Sequence, residues 1–290
     1  MQPFTNQAQL SYNGITTSSN IARGQIVDVL SATKTAVTPE YSEGTEEVYV
    51  VTIVNAGTTP YTALTLSDDL GAFSYTPEGQ TDPITLYPLE YVENSILYYI
   101  DGVLQATPAV TTEEGLLVSG INIPAGSDAV IVYAARVTEF APLDVDGQII
   151  NSVSVIGTGL AAPLTATETI DTEETPDLSI IKSLSPDTVP GNGAITYTFD
   201  ILNRGNTDAV VADDVTVTDT FDPALTDITV ALNGDPLPAG SYTYDETTGQ
   251  FATVPGVITV PAATFIQNEQ TGAYTIIPGE TILTVSGTFA

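Results

Sequence analysis

The chain contains no cysteine, no histidine and no tryptophan among its 290 residues. Without thiol and imidazole groups it cannot form disulfide bonds, zinc sites with nitrogen or sulfur ligands, or the usual cysteine and histidine catalytic centres. We therefore predict a protein that is not an enzyme and that holds no cofactor or metal. Its stability has to come from the packing of its core.

Positive charge is also scarce. Five lysine and arginine residues stand against 36 aspartates and glutamates, which gives a formal net charge of −31. Nucleic acids and anionic membranes are bound through clustered cationic side chains, so we expect neither as a partner. Repulsion between like charges would keep copies of the protein, or fibres made of it, apart in solution.

Long apolar runs are missing as well. No run approaches the about 18 residues that a membrane-spanning helix needs. The first residues, Met1 to Gln7, show neither the basic nor the apolar region of a secretory signal. Either a leader has been removed or the protein is exported by another route.

The residues that are present favour β-structure. The chain is 42% hydrophobic and contains 23 glycines and 19 prolines, a composition typical of strands separated by turns. Apolar residues alternate with others at Tyr49, Val51 and Ile53, and the pattern returns between Ile195 and Ile201. We predict an all-β protein.

The two halves of the chain share a motif at fixed spacing. In both halves a lysine is followed by a tyrosine after 15 residues, an asparagine after 21 and a glycine after 23. The two sets are Lys34, Tyr49, Asn55 and Gly57, and Lys182, Tyr197, Asn203 and Gly205. Four identities at the same offsets indicate an internal duplication.

Later segments extend the duplication. Ile100-Asp-Gly102 is answered by Leu232-Asn-Gly234, and both predict hairpin turns in which the Asp/Asn-Gly pair supplies positive φ angles. The first copy carries an insertion from about Tyr75 to Ser95. We therefore predict two tandem Ig-like β-sandwich domains.

The motifs of the second half resemble a known bacterial family. They are Asp177-Leu-Ser-Ile-Ile-Lys182, Gly193-Ala-Ile-Thr-Tyr197, Asn203-Arg-Gly205 and Val217-Thr-Asp219. They look like the tandem repeat of bacterial surface proteins known only as a domain of unknown function. The likeness covers both halves, although the opening of the first departs from the pattern. The resemblance implies Ig-like sandwiches in an extracellular stalk and carries no catalytic residue.

The ends of the chain are out of phase with this repeat. The first half closes with Asn151-Ser-Val153-Ser-Val155, which we predict to be the last strand of its sandwich, and the second half reaches Ala290 without such a segment. A matching segment, Asn6-Gln-Ala8-Gln-Leu10-Ser-Tyr12, stands before the first domain instead. We expect the second sandwich to lack its last strand and to expose an apolar groove beside an unpaired edge.

This mismatch leads to a hypothesis of head-to-tail polymerisation by donor-strand complementation. Residues of about 4 to 13 of one copy would insert into the second domain of the next, so the partner is the protein itself. The donor residues are Phe4, Asn6, Ala8, Leu10 and Tyr12. The predicted acceptor groove consists of Ile195, Tyr197, Phe199, Leu283, Val285 and Phe289. The predicted layout is a donor strand and arm at 1–26, a first sandwich at 27–170, an acidic linker at 171–176 and an incomplete second sandwich at 177–290.

Other interpretations remain open at this point. A two-repeat fragment of a longer array would show the same offset, and an adhesin or stalk module could bind a ligand through the insertion from Tyr75 to Ser95. The filament hypothesis predicts an extracellular subunit on a cell or spore surface, anchored by another protein. Electron microscopy separates these interpretations.

The two lysines suggest a covalent bond. Surface sandwiches of some Gram-positive bacteria form an amide between a lysine on the opening strand and an asparagine on the last strand, with the help of a buried acid. The candidates are Lys34 with Asn151, and Lys182 with Asn6 of the next copy. The alternative is that each lysine extends its amine to solvent.

Overall fold

The computed structural model describes residues 2–26 and 29–289, so the predicted start of the first domain at residue 27 lies outside it. The described residues form 28 β-strands and two short 3₁₀ helices, Val211–Asp213 and Ala239–Ser241, and no α-helix. The all-β prediction is confirmed. The strands build an amino-terminal ribbon and two tandem Ig-like sandwiches, of which the second is incomplete.

The amino-terminal ribbon consists of two antiparallel strand pairs. Its strands are β1 (Gln2–Asn6), β2 (Gln9–Tyr12), β3 (Ile15–Ser18) and β4 (Ala22–Ile26). β1 pairs with β4, β2 pairs with β3, and Asn13 and Gly14 make the turn with φ angles of 46° and 79°. The sequence pattern predicts one donor strand followed by an arm. In the structure the arm folds back and pairs with that strand.

One sheet of the first sandwich has the strand order β13-β12-β16-β7-β5, with β11 also paired to β16. Its members are β5 (Leu30–Ala36), β7 (Glu46–Asn55), β11 (Leu89–Tyr91), β12 (Leu97–Ile100), β13 (Val103–Leu104) and β16 (Asp128–Val137). The insertion contributes β11 and a small hairpin, β9 (Phe73–Tyr75) with β10 (Ile84–Leu86).

The other sheet has the order β14-β15-β8-β17-β18-β6. Its members are β6 (Glu40–Tyr41), β8 (Tyr61–Asp68), β14 (Ala109–Thr111), β15 (Leu116–Ile123), β17 (Gln148–Ile156) and β18 (Leu164–Thr172). Alternate residues of both sheets, including Tyr49, Val51 and Ile53, point inward and are fully buried, as the period-2 pattern predicts.

The end of the first sandwich differs from the prediction. Strand β17 contains Asn151 and Val155, but it is not the last strand, because β18 follows it and pairs with it along its length. β18 includes Asp171 and Thr172, which the sequence analysis assigned to the linker. The sandwich therefore closes with a hairpin of two strands, and only residues 173–177 connect it to the next strand.

The second sandwich has a five-stranded sheet of order β19-β20-β28-β22-β23 and a three-stranded sheet of order β21-β25-β24. The strands are β19 (Leu178–Ser185), β20 (Ala194–Asn203), β21 (Thr218–Thr220), β22 (Leu225–Leu232), β23 (Asp235–Pro236), β24 (Tyr242–Tyr244), β25 (Gln250–Thr253) and β28 (Gly279–Phe289). A separate hairpin consists of β26 (Thr264–Gln267) and β27 (Tyr274–Ile277).

The duplicated sequence motifs occupy the same register in the strand pairs of the two sandwiches. Lys34 lies opposite Val51 across β5 and β7, and Lys182 lies opposite Phe199 across β19 and β20. The two predicted hairpin turns also recur, with positive φ angles at Asp101 and Asn233 and at the glycines that follow them. Equivalent residues of the two halves therefore occupy equivalent places in the two sandwiches.

The repeated asparagine ends β7 in the first sandwich and β20 in the second, and it fixes the loop that follows each strand. The Asn203 side chain is fully buried and donates to the Thr207 carbonyl oxygen at 2.8 Å. Its own oxygen accepts from the backbone N–H groups of Gly205 and Asp177 at 2.9 and 3.0 Å. Gly205 has to lack a side chain because a Cβ there would collide with the Thr175 carbonyl oxygen.

We expect Asn203→Ala to lower the free energy of unfolding of the second sandwich by about 2 to 3 kcal/mol, because two backbone N–H groups and one carbonyl lose their partner. Asn192 lies in an exposed turn of the same sandwich, so Asn192→Ala serves as the control and should cost less than about 0.5 kcal/mol. Urea titration followed by circular dichroism measures both. Equal effects of the two substitutions would contradict this role of Asn203.

Candidate functional site

The hairpin β17–β18 closes the first sandwich. β17 pairs with the outer edge of β8, where Val153 lies opposite Asp68, and β18 packs over the opening strand β5. The side chains that β17 turns inward are Ile149, Asn151, Val153 and Val155, all of them buried. The hairpin thus covers both an unpaired edge and an apolar face.

No hairpin takes this place in the second sandwich within residues 2–26 and 29–289. There β21 pairs only with β25, and β19 pairs only with β20. Every residue of β19 is exposed. Leu178, Ile180 and Leu184, which have the same strand parity as Lys182, are exposed by 38%, 53% and 45%. An edge and an apolar strip that are covered in the first sandwich are therefore open in the second.

The surroundings of the repeated lysine show the same difference in exposure between the two sandwiches. The Lys34 amine lies 2.7 Å from a carboxyl oxygen of Asp68, and both side chains are fully buried. The Lys182 amine lies 2.5 Å from a carboxyl oxygen of Asp219, but these side chains are 42% and 17% exposed. Each amine stands 4.8 Å from the ring centre of the repeated tyrosine, Tyr49 or Tyr197. The lysine and aspartate side chains have the same arrangement in the two sandwiches and differ in how far they are shielded from water.

Burial shifts the pKa values of both members of the first pair. Desolvation lowers the pKa of Lys34 and raises the pKa of Asp68. Desolvation also raises the pKa of the Tyr133 hydroxyl, which donates a hydrogen bond to the same carboxyl oxygen of Asp68. Both pKa shifts are toward the uncharged forms of the two groups.

Asn151 completes this buried cluster. Its side chain is fully buried and faces the hydroxyls of Tyr49 and Tyr133. Neither its amide nitrogen nor its oxygen makes a hydrogen bond of ordinary geometry within the described protein, and the same holds for the Tyr49 hydroxyl. A buried amide without partners costs about 1 to 3 kcal/mol, so its presence here needs an explanation.

The ribbon has the form of the hairpin that the second sandwich lacks. In both, an asparagine lies on the inward parity of the first strand: Asn6 in the ribbon and Asn151 in β17. From this alignment Phe4, Ala8 and Leu10 correspond to Ile149, Val153 and Val155. The ribbon then turns, returns and leads into β5 after three residues, as β18 leads into β19 after five.

The structure places the predicted donor and acceptor residues as follows. The donor residues Phe4, Asn6, Ala8, Leu10 and Tyr12 are all exposed on the ribbon. Of the acceptor residues, Ile195, Tyr197, Phe199, Leu283 and Val285 are buried in the core of the second sandwich, and Phe289 is half-buried. They belong to the packed interior next to the open edge and not to its exposed surface.

The exposed part of the acceptor surface was missed by the sequence analysis. It consists of Leu178, Ile180 and Leu184 on β19, together with the edge of β21. The alternation on β19 matches that on β5, and β5 is covered by the return strand β18. Recognition of β18 as a strand would have identified β19 as an uncovered counterpart.

The insertion of the first sandwich contacts the second sandwich. The Tyr75 hydroxyl donates to the Asn268 carbonyl oxygen at 3.0 Å, and the Glu78 N–H donates to the Glu269 carbonyl oxygen at 2.8 Å. Phe265 and Ile276 of the hairpin β26–β27 pack against the core of the first sandwich. Part of the segment predicted as a ligand-binding insertion is thus a brace between the two sandwiches.

The described residues contain no group of three or more acidic, histidine or cysteine side chains suited to a metal ion. None of their helices has the length and apolar character needed to cross a bilayer.

No protein-family model and no curated protein matches the chain. Among solved structures it is similar to the major pilin subunit of Bacillus cereus, with 11% identity and a TM-score of 0.36, over 96% of this chain and 73% of that one. It is similar to the pilus backbone of Streptococcus pneumoniae, with 12% identity and a TM-score of 0.32, over 89% of this chain and 49% of that one. It is also similar to a family 123 glycoside hydrolase from Clostridium perfringens, with 14% identity and a TM-score of 0.31, over 50% of this chain and 27% of that one.

These similarities identify neither a family nor an activity. The chain spans about half the length of the pneumococcal protein and about a quarter of the hydrolase. The assignment of two Ig-like sandwiches rests on the strands and registers described above. Membership of the bacterial surface-repeat family stays a prediction.

We expect Lys34→Met to lower the free energy of unfolding by about 3 kcal/mol or more, because it leaves the buried Asp68 without its partner. Lys182→Met, the matched change at the repeated position, should cost less than about 1 kcal/mol because its ion pair is exposed to water. Urea titration of the two variants beside the unchanged protein measures the difference. A similar loss of unfolding free energy in the two variants would contradict the idea that burial by β17 and β18 makes the first pair more important for stability than the second.

Proposed function

We propose that the protein is a structural subunit of an extracellular filament on a cell or spore surface. In this filament the ribbon at residues 2–26 of one copy fills the open side of the second sandwich of the next copy. The observation that carries the proposal is the match between the ribbon and the hairpin β17–β18, in strand direction, in the position of the asparagine and in the connection to the next sandwich. Polymerisation is by donor-strand complementation with two strands.

The first strand of the ribbon would pair with the free edge of β21. By analogy with Val153 opposite Asp68, Ala8 would lie opposite Asp219. Asn6 would then enter the side of the sandwich that holds Lys182, as Asn151 does beside Lys34. Main-chain hydrogen bonds along the edge would supply affinity, and the inward side chains would fix the register.

The return strand of the ribbon would cover β19. β18 does this for β5 in the first sandwich, where the Ala36 N–H donates to a Glu168 carboxylate oxygen at 3.3 Å. Covering Leu178, Ile180 and Leu184 removes an exposed apolar strip that the second sandwich otherwise carries. A single donor strand would leave this strip in water.

The first sandwich cannot accept the ribbon, because its own hairpin occupies the place. A ribbon attached to the first sandwich and an opening on the second make two different surfaces of one chain, so their contact is heterologous and does not close on itself when it joins different copies. Repetition gives a fibre of indefinite length. The net charge of −31 disfavours lateral bundling of such fibres.

The magnitudes permit insertion but leave a narrow margin. Burial of Phe4 and Leu10 with Leu178, Ile180 and Leu184 contributes about 2 kcal/mol for each side chain. Association costs about 4 to 15 kcal/mol. The free energy gained by burying these side chains is therefore close to the free-energy cost of association. A long-lived fibre requires a further stabilising interaction at the same junction.

We expect the purified full chain to form fibres that are visible by negative-stain electron microscopy, and a chain without residues 2–26 to form none. The shortened chain still has an open second sandwich, so added to the full chain it should cap growing ends and shorten the fibres. Circular dichroism checks that both sandwiches stay folded. Fibres made by the shortened chain would overturn the proposal, as would full-length chains that remain monomeric because the ribbon fills its own second sandwich.

A matched pair of substitutions refines this experiment. Leu10→Asp places a charge on the inward parity and should abolish fibres, whereas Gln9→Asp places the same charge on the outward parity and should leave them. Equal behaviour of the two variants would contradict the proposed register.

A further inference from the structure

Three reactive groups meet in the core of the first sandwich. The amine of Lys34 comes from β5 in one sheet, and the carboxyl group of Asp68 and the amide of Asn151 come from neighbouring strands of the other sheet. Asn151 lies two residues from Val153, which is opposite Asp68, so both side chains point inward at adjacent places. All three side chains are buried, and the apolar core around them keeps water away.

We infer that Lys34 and Asn151 form an amide bond between their side chains, with Asp68 as the proton-transfer group. The bond would join the opening strand β5 of one sheet to strand β17 of the other. It would also account for the buried amide of Asn151, which finds no hydrogen-bond partner among the described residues. Nothing besides the folded chain is needed to make it.

The reaction is an amide exchange that balances without an oxidant or a co-reactant. The neutral Lys34 amine uses its lone pair to form a bond from Nζ to Cγ of Asn151, while protonated Asp68 gives its proton to the amide oxygen. Asp68 then accepts a proton from Nζ and passes it to the leaving nitrogen. The bond from Cγ to Nδ2 breaks and one ammonia leaves. As the carbonyl re-forms, its oxygen gives the proton back to Asp68, which returns to its protonated form.

The surroundings favour each step. An amine is a nucleophile only when neutral, and burial of Lys34 lowers its pKa in that direction. A carboxyl oxygen of Asp68 lies 2.7 Å from the amine, within reach for proton transfer, and burial raises the pKa of Asp68 in the direction of its protonated form. The Tyr49 hydroxyl, which has no hydrogen-bond partner within the described protein, lies on the same side of the cluster and can donate to the amide oxygen.

A tryptic map of the unchanged protein decides the question. The five basic residues limit trypsin to cleavage after Arg23, Lys34, Arg136, Lys182 and Arg204. With the amide, cleavage after Lys34 is blocked. Denatured single chains, in which Lys182 is free, yield peptide 24–136 joined to 137–182, lighter by one ammonia than the sum of the two. Free peptides 24–34, 35–136 and 137–182 would overturn the inference.

Intact mass of three variants gives the control. Lys34→Met, Asn151→Ser and Asp68→Asn should each show no loss of ammonia from the pair of residues 34 and 151. The unchanged protein should be lighter than its calculated mass by one ammonia from this pair. Cyclisation of Gln2 after removal of Met1 also releases ammonia, and it affects all four proteins equally. An identical deficit in the Lys34→Met variant would therefore assign the loss elsewhere and contradict the amide.

The second sandwich holds two of the same three groups. Lys182 and Asp219 stand as Lys34 and Asp68 do, and the described residues around them include no asparagine in the place of Asn151. Under the proposed function, Asn6 of the next copy occupies that place. This extension rests on the proposed function, and it makes the junction between copies covalent by a bond from Lys182 to Asn6.

We expect fibres of the unchanged protein to survive boiling in dodecyl sulfate as a ladder of multimers, and fibres of the Asn6→Ser variant to dissociate into single chains. Trypsin should release from the ladder peptide 1–23 joined through Asn6 to Lys182 of peptide 137–204, which stays joined to 24–136 through the bond between Lys34 and Asn151. Fibres that dissociate in the unchanged protein and lack this peptide would overturn the covalent junction and leave insertion intact. Failure to form fibres at all would count against the proposed function itself.

Discussion

The closing of an Ig-like sandwich on its open side is the constraint on which this molecule depends. A sandwich has an inner apolar face and a strand edge that both require cover, because exposed apolar area and unpaired main-chain groups cost free energy. In the first sandwich the hairpin β17–β18 meets both requirements at once. In the second sandwich, within the described residues, nothing meets either, and an unattached hairpin of the same form lies at the other end of the chain.

The lysine and aspartate of each sandwich show what this cover does to chemistry. Lys182 and Asp219 are partly exposed to water and form an ion pair. Lys34 and Asp68 have the same geometry but no water, and desolvation moves both pKa values toward the uncharged forms. If the inferred amide forms, the strand that covers the lysine and aspartate also supplies the asparagine with which the lysine reacts. Closing of the sandwich and bond formation would then be coupled.

Much of this arrangement was accessible from the sequence because it is encoded by local pattern. The alternation at Tyr49, Val51 and Ile53 predicts a half-buried strand, and the fixed offset from Lys34 to Asn55 predicts the duplication. Asn13-Gly14 carries the signal of a hairpin turn as clearly as Asp101-Gly102 does, and attention to it would have shown that the arm folds back. These features depend on neighbours along the chain.

The remainder depends on which surfaces meet and is not encoded locally. β18 has the sequence Leu164-Thr-Ala-Thr-Glu-Thr-Ile-Asp-Thr172, in which few residues are strongly apolar, because the strand packs over an edge and not into the centre of the core. Leu178 and Ile180 have the pattern of buried residues, and only the missing neighbour leaves them exposed. The orphaned amide of Asn151 is likewise invisible until its burial is known.

The brace between the sandwiches would determine where a filament of the proposed kind bends. The hairpin β26–β27 of the second sandwich holds the insertion of the first, and the corresponding connection of the first sandwich, between β15 and β16, is only four residues long. A junction between two copies would therefore have no brace. Rigid two-sandwich rods would alternate with compliant joints, and the fibre would curve in steps of one subunit under flow or tension.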